Sequence, residues 1–208
     1  MRRVLIVLAH PVLERSRVNR RLVRAVAGIE GVFVHDLYEV YPTLDIDVQR
    51  EQQLLVDHDV IVFQHPFYWY SAPAIVKEWQ DLVLEHGWAY GKGGDKLKGK
   101  ITLNAITTGG PASSYTKGGY NRFTIRELLA PFDQTAYLCG MRYLAPFALH
   151  AALSITSDTD LTPQTATYRA LLEALRDDGI DLDRAEAAEN LAMELPTLLA
   201  PKSREHFA

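Results

Sequence analysis

Five short apolar runs alternate along this chain with segments whose apolar residues recur at helical spacing. Such runs are typical of strands buried on both faces of a parallel sheet. Between them, apolar residues return every three or four positions, as at Val18, Leu22 and Val26, which indicates helices. The pattern therefore predicts a doubly wound α/β fold with five parallel strands in the order 2-1-3-4-5. The predicted strands span residues 4–9, 32–34, 60–63, 101–106 and 143–149.

The same pattern predicts how the chain is divided. Residues 1–208 are expected to form one domain, in which about 158–208 is a helical C-terminal extension. Within it, Thr162-Pro163 indicates a helix start and Asp177-Asp178-Gly179 a helix stop. Residues 86–100 are rich in Gly and Lys, and they are predicted to form a long exposed loop before the fourth strand.

Three unusual segments follow predicted strands 1, 3 and 4. They begin at His10, Pro66 and Thr107. In an open α/β sheet, ligands bind in the crevice at the carboxyl ends of the strands, where the strand order reverses. The three segments are therefore expected to meet at one binding site.

The segment after strand 3 places a proline and four aromatic residues in one loop. A flat aromatic cofactor would explain both this composition and its place at the end of a strand. The alternative is that the rings cover the core of an ordinary loop. The residues of this aromatic loop are Pro66, Phe67, Tyr68, Trp69 and Tyr70.

The segment after strand 1 has the features of an anion site. A helix is predicted to begin near Ser16, and the first turn of a helix offers free N–H donors to a phosphate. His10 and Asn19 add donors, and Arg17 adds positive charge. The alternative is that Ser16 is only an N-cap and the arginines coat the helix. Neither a G-x-G-x-x-G nor a G-x-x-x-x-G-K-[ST] pattern is present, which argues against a dinucleotide fingerprint and a nucleotide hydrolase.

The segment after strand 4 begins Thr107-Thr108-Gly109-Gly110. Because glycine has no side chain, two successive glycines let the backbone come closer to a ligand than other residues would allow. Tyr115, five residues later, could hydrogen-bond a reacting oxygen. The alternative is a glycine-rich surface loop.

Composition and charge narrow the class of protein. The net charge of −4 argues against a nucleic-acid partner. Cys139, the single cysteine, cannot form an internal disulfide and is expected to be a buried, inert thiol. The apolar run after Arg3 is too short for a signal peptide, and no run approaches the ~20 residues that span a bilayer. A soluble, cytoplasmic protein is therefore expected.

No metal site or hydrolase triad is indicated. The seven histidines are scattered without H-x-x-x-H spacing, and no serine lies in a G-x-S-x-G elbow. His65, directly before Pro66, is expected to be a structural histidine rather than a base.

Three segments give the chain a family resemblance: AHP with Ser16 and Asn19, the stretch QHPFYWYSAPAIVKEWQDLVLEHGWAYG, and TTGGPASSY. Over about residues 4–150 it resembles the flavodoxin-like NAD(P)H:quinone oxidoreductases, in particular the bacterial branch with the ancillary flavoproteins of glutathione-gated potassium efflux. The resemblance implies a homodimer that binds FMN, with FAD possible, at two subunit-shared sites. NAD(P)H would then be the co-substrate and a quinone or similar planar compound the acceptor. It also motivates an alternative, a regulatory subunit that docks on a membrane potassium-efflux antiporter.

The resemblance also implies roles for individual residues. Tyr115 matches the family tyrosine near the hydride-transfer centre, beside Gly109 and Gly110. Mammalian members pair that tyrosine with a histidine six residues later, where this chain has Asn121, so a tyrosine–histidine relay is not expected. The aromatic loop would lie along the isoalloxazine ring, and the segment from Thr107 to Gly110 would lie at its edge. The residues implied around the flavin phosphates and ribityl chain are His10, Ser16, Val18 and Asn19.

Overall fold

The computed structural model describes residues 1–157 and 161–200, and the ends of the predicted C-terminal extension lie outside these ranges. One parallel sheet with the strand order β2-β1-β3-β4-β5 lies at its centre, which confirms the predicted order. A short strand, β6, pairs with β4 beyond β5. The strands are β1 Val4–Leu8, β2 Val32–Asp36, β3 Val60–Pro66, β4 Ile101–Thr107, β5 Arg142–Tyr143 and β6 Phe147–Leu149.

Helices cover both faces of this sheet. Alternate residues of β1 point to opposite sides, so that Val4 and Ile6 join one core cluster and Leu5 and Val7 join the other. The first cluster is completed by α1 and α7–α9, and the second by α3, α4 and α6. The helices are α1 Arg17–Val26, α2 Leu37–Val40, α3 Val48–Asp57, α4 Ala74–Val83, α5 Ile125–Leu128, α6 Ala130–Leu138, α7 Thr162–Arg176, α8 Leu182–Ala187 and α9 Leu191–Leu198.

The single strand predicted over residues 143–149 is divided into β5 and β6. Pro146 lies at the break and has no N–H to donate to a neighbouring strand. Backbone groups at the break instead bond to the C-terminal helical region. The Ala145 N–H donates to the Ala185 carbonyl (3.1 Å), and the Pro146 carbonyl accepts from the Leu191 N–H (2.9 Å).

Two further expectations are settled by the structure. Helix α7 begins at Thr162 and ends at Arg176, directly before the predicted Asp-Asp-Gly stop. Residues 86–100 do lack helices, but the prediction that they are exposed is wrong in part, because Ala89 and Leu97 are buried in the second core cluster. In the described ranges, no helix has the length and apolarity needed to cross a membrane.

Candidate active site

The three predicted segments meet at the carboxyl edge of the sheet, around two adjoining cavities. The larger cavity has a volume of about 800 Å³ and the smaller about 320 Å³. Ligand sites in proteins typically have volumes of about 300–1,000 Å³. Phe67, Trp69 and Gly109 line both cavities, so the aromatic loop and the glycine pair form a shared wall.

The first segment forms the floor of the larger cavity, at the start of α1. Ser16 caps this helix, and its Oγ accepts from the Asn19 N–H (3.2 Å). Arg17 donates from its guanidinium to the Ile155 carbonyl (2.8 Å), across the same cavity. The ten-residue helix therefore directs its N-terminal N–H groups and positive dipole end towards the cavity. Val18 also lines the cavity.

Asn19, expected beside the ligand, is buried behind the cavity wall. Its side-chain amide donates to the Thr107 hydroxyl (3.0 Å), and its backbone carbonyl accepts from the Gln64 side chain (3.2 Å). The Tyr168 hydroxyl in turn donates to Gln64 (3.0 Å). Asn19 thus joins the first segment to the ends of β3 and β4.

His10 has a defined hydrogen-bonding role in the structure. The Val12 backbone N–H donates to its Nδ1 (3.2 Å), so the neutral ring carries its proton on Nε2. Burial lowers the pKa of His10, which favours this neutral form. The ring also contacts Tyr68, with the two centroids 6.5 Å apart. His10 can therefore donate to a ligand from Nε2.

The aromatic loop adopts an unusual backbone. Trp69 and Tyr70 both have positive φ, at 50° and 62°. Two bulky residues in the left-handed region are strained, and such strain of about 1–3 kcal/mol per residue is concentrated at functional sites. The Tyr70 hydroxyl donates to the Asn121 side chain (3.3 Å), which ties the aromatic loop to the segment after β4. Pro66 and Phe67 are buried, whereas Trp69 projects outward.

The segment after β4 brings Tyr115 to the smaller cavity. Its ring lies edge-on to Phe67, with centroids 6.2 Å apart. A Cβ added at Gly110 would lie 3.6 Å from the Tyr115 ring, an ordinary van der Waals distance, so Gly110 lies directly beside this ring. The Thr108 hydroxyl donates to the Gly110 carbonyl (2.8 Å), which holds the turn closed. Thr107 lines the larger cavity beside Gly109.

A fourth segment, which the sequence pattern did not indicate, also lines the site. Ala152, Leu153 and Ile155 line the larger cavity, and the ring of His150 lies against Tyr115 with centroids 5.5 Å apart. This segment directly follows β6. Ligands bind at the carboxyl ends of the strands in such a sheet. This segment lies at the site for the same reason as the other three, because it also follows the carboxyl end of a strand.

Two residues expected to be structural are placed away from these cavities. His65 is fully buried, where its Nδ1 contacts the Pro66 carbonyl (3.0 Å) and burial lowers its pKa to about 4. Cys139 is buried, and burial raises the pKa of its thiol. In the described ranges no cluster of three or more His, Cys, Asp or Glu residues could hold a metal ion.

Comparison with known proteins gives consistent matches. A family model described as a flavodoxin-like fold matches residues 2–172. The glutathione-regulated potassium-efflux system ancillary protein KefG of Serratia proteamaculans is 50% identical over 150 residues, covering 72% of this chain and 82% of the relative. General stress protein 14 of Treponema denticola, solved in complex with FMN, is 39% identical with a TM-score of 0.78, covering 83% of this chain and 99% of that chain. The structure of an NADPH-quinone reductase from P. pentosaceus is 32% identical with a TM-score of 0.72. The match covers 84% of this chain and 97% of that chain.

Proposed function

This chain belongs to the family with the flavodoxin-like fold, and from that premise we propose that it is a flavin-dependent NAD(P)H:quinone oxidoreductase. The observation that carries the proposal is the meeting of a helix N-terminus, an aromatic loop and a glycine pair around adjoining cavities. The solved relatives include one with FMN and one named as an NADPH-quinone reductase.

The residues present fit FMN. A phosphate needs donors and positive potential, which the start of α1 and Arg17 supply. A planar ring needs a slot without side chains on one side, and Gly109, which lines both cavities, has no side chain to fill that slot. When bound, the flavin would accept a hydride from NAD(P)H and pass two electrons to the acceptor. We propose FMN as the cofactor, with FAD as the alternative.

The protein's own residues would bind and orient the reactants. Ser16, Arg17, Val18 and the Nε2–H of His10 would hold the phosphate end of the cofactor, with Asn19 fixing the wall behind it. Pro66 to Tyr70 and Thr107 to Gly110 would enclose the ring. Tyr115, at the smaller cavity, would donate a hydrogen bond to the acceptor oxygen. We further propose that residues 1–208 act as one domain in the cytoplasm.

The function is tested by loading the purified protein with FMN and measuring NADPH oxidation with and without a quinone. We expect the protein to retain the visible absorbance of flavin after gel filtration. Without oxygen or a quinone it should consume only the one NADPH that reduces each bound flavin, and added quinone should allow continued turnover. A protein that stays colourless after incubation with FMN and FAD would contradict the proposal at its first step.

We predict ping-pong kinetics for this reaction. Phe67, Trp69 and Gly109 line both cavities, so donor and acceptor would stack in the same slot and cannot occupy it together. NAD⁺ or NADP⁺ must then leave before the quinone binds. Double-reciprocal plots of rate against NADPH at several quinone concentrations should give parallel lines. Intersecting lines would indicate a ternary complex and separate subsites.

We also predict that the active species is a homodimer. Trp69, Tyr120 and Leu153 are 92%, 90% and 87% exposed around the cavities, and large apolar side chains grouped at a site mouth are typical of a covered interface. Light scattering should give twice the 23.4 kDa of one chain. Tyr120→Arg should lower the measured mass to that of one chain. Tyr137 is also an exposed tyrosine but lies on α6, and Tyr137→Arg should leave the mass unchanged. A wild-type monomer with full activity would contradict the prediction.

The alternative function is a regulatory subunit of a potassium-efflux system. The 50% identity to KefG favours it. In that case the protein would be retained by membranes that contain its antiporter, and its presence would change potassium efflux in cells. Rapid quinone turnover without any such retention would favour the enzyme.

A further inference from the structure

A chain of buried polar side chains runs from the C-terminal helix α7 to the wall of the larger cavity. The Tyr168 hydroxyl on α7 lies 3.0 Å from Gln64 Oε1 on β3, and Gln64 Nε2 lies 3.2 Å from the Asn19 carbonyl on α1. The Asn19 side-chain nitrogen lies 3.0 Å from the Thr107 hydroxyl at the end of β4. All four residues are buried, and Thr107 is the member that lines the cavity. A residue of α7 is therefore connected to the site through three other elements.

One backbone carbonyl determines the direction of every hydrogen bond in this chain. A carbonyl can only accept, so the end of the Gln64 side chain that faces the Asn19 carbonyl must be the nitrogen. Gln64 Oε1 then faces Tyr168 and accepts from its hydroxyl. Gln64 Nε2 also lies 3.4 Å from Asn19 Oδ1, which places the Asn19 side-chain nitrogen towards Thr107. Reversing either amide would bring two donors or two acceptors together.

The outer end of the chain depends on its inner end. Burial raises the pKa of Tyr168, so its hydroxyl keeps the proton that it donates. At the other end the Thr107 oxygen accepts from Asn19, and among the described residues this hydroxyl has no other hydrogen-bond partner. Its own proton is therefore available to the cavity. Ser16 differs, because its hydroxyl accepts from the Asn19 backbone N–H (3.2 Å), a bond that both orientations of the amides allow.

We propose that Tyr168 and Gln64 are positioning residues that, through Asn19, hold the Thr107 hydroxyl as a hydrogen-bond donor to the larger cavity. The site then selects a ligand with an acceptor atom at Thr107, which in FMN is a phosphate oxygen or an oxygen or nitrogen of the ring and ribityl chain. The inference rests on the proposed function and extends it, because it gives the C-terminal helix a part in binding the cofactor.

The direction of the chain can be read without any ligand or activity measurement. In NMR spectra of the full chain, the side-chain N–H₂ protons of Gln64 should show stronger nuclear Overhauser effects to Asn19 than to the Tyr168 ring. The Gln64 signals are assigned by their loss in Gln64→Met. Stronger effects to the Tyr168 ring would mean that the amide is reversed, and this result would overturn the proposal whatever the variants do.

Flavin affinity, measured by quenching of flavin fluorescence, tests the donor itself. Thr107→Val keeps the shape of the side chain without its hydroxyl and should bind FMN about 10-fold more weakly, whereas Thr107→Ser should bind like the wild type. Tyr168→Phe should bind FMN about 5-fold more weakly, because Gln64 Oε1 loses its donor and the chain is no longer held in one direction. An equal loss for riboflavin would place the acceptor on the ring or ribityl chain, and a loss for FMN alone would place it on the phosphate.

A double variant separates this role from a merely structural one. Tyr168→Phe/Thr107→Val should bind FMN no more weakly than Thr107→Val alone, since Tyr168 acts through the Thr107 hydroxyl. Additive losses would overturn the proposal, because they would show that Tyr168 affects binding by another route. Tyr41→Phe is the matched control. It also removes a buried tyrosine hydroxyl, but one that donates to Glu51 in the second core cluster, so it should lower stability in urea and leave FMN affinity unchanged.

The outcomes distinguish failure of the inference from failure of the proposed function. If the wild type binds FMN and both Thr107→Val and Tyr168→Phe bind it equally well, the inference is wrong and the function stands. If the wild type binds neither FMN nor FAD, the function is wrong and the inference falls with it. Thr107→Ala serves in the same assays if Thr107→Val does not fold.

Discussion

Replacing Gly109 with valine is expected to remove flavin from the purified protein while the fold is retained. Gly109 lines both cavities, and its φ is not in the left-handed region, so the backbone accepts a side chain. An added Cβ would meet only one neighbour, Leu153 Cδ1, at 3.5 Å. The valine would therefore displace ligand rather than protein. Overfilling a packed contact costs about 1–3 kcal/mol, which corresponds to roughly 5–150-fold weaker binding.

The measurement is FMN affinity by quenching of flavin fluorescence, with circular dichroism to check the fold. Gly118→Val is the matched control, since Gly118 lies in the same segment and lines neither cavity, and a Cβ added there would meet no atom within 4 Å. It should bind FMN like the wild type. Wild-type affinity in Gly109→Val would show that the glycine pair does not face the ring.

The position of Gly109 illustrates what a single sequence can predict. Buried parallel strands show in the sequence as short apolar runs. The order of these strands in the sheet then determines which loops lie side by side at its carboxyl edge. The order 2-1-3-4-5 is sufficient to bring His10, Phe67, Trp69 and Gly109 to one site. No side-chain geometry is required, because the topology alone places the loops.

Other features depend on tertiary contacts that leave no periodic signal. Helix α3 was not predicted, because its buried face includes a charged residue, Glu51, where an apolar one would be expected. The division of the last strand depends on acceptors and donors near Ala185 and Leu191, some forty residues further along the chain. His150 was not predicted for a related reason: its partner Tyr115 lies on another strand's loop, and no spacing connects the two.

The aromatic loop shows the same limit at the level of the backbone. Its composition predicted its location, but not the left-handed conformation of Trp69 and Tyr70. Such conformations are disfavoured locally and are held by surrounding contacts, here including the bond from Tyr70 to Asn121. Asn121, which the resemblance marked only as a departure, therefore has a structural explanation.

Substituting Glu51 with alanine is expected to destabilise the protein by about 3–5 kcal/mol, the range found when one partner of a buried ionic network is removed. The Glu51 carboxylate is 1% exposed and accepts from the Tyr41 hydroxyl (2.6 Å) and the Trp79 indole (2.8 Å). Its third contact is His35 Nε2 at 2.7 Å. Alanine would leave these donors buried without an acceptor and would open a cavity. The free energy of unfolding of a typical protein is about 5–15 kcal/mol, so this loss would be a large part of the total.

The network matters for the site because Trp79 lies on α4, the helix that follows the aromatic loop. Urea unfolding should show the full loss in Glu51→Ala, whereas Glu78→Ala, the exposed neighbour of Trp79 on α4, should stay within about 0.5 kcal/mol of wild type.

The pH dependence gives a second check. Burial alone would raise the pKa of Glu51, but the hydrogen bonds from His35, Tyr41 and Trp79 outweigh it and hold that pKa below its usual 4.5. A carboxylate with a lowered pKa stabilises the fold above its unfolded value, and this contribution is lost as pH falls through the folded value. The wild type should therefore lose stability in acid below about pH 4.5 more steeply than Glu51→Ala. Equal stability of the two proteins at neutral pH would mean that the buried carboxylate does not hold α4 in place.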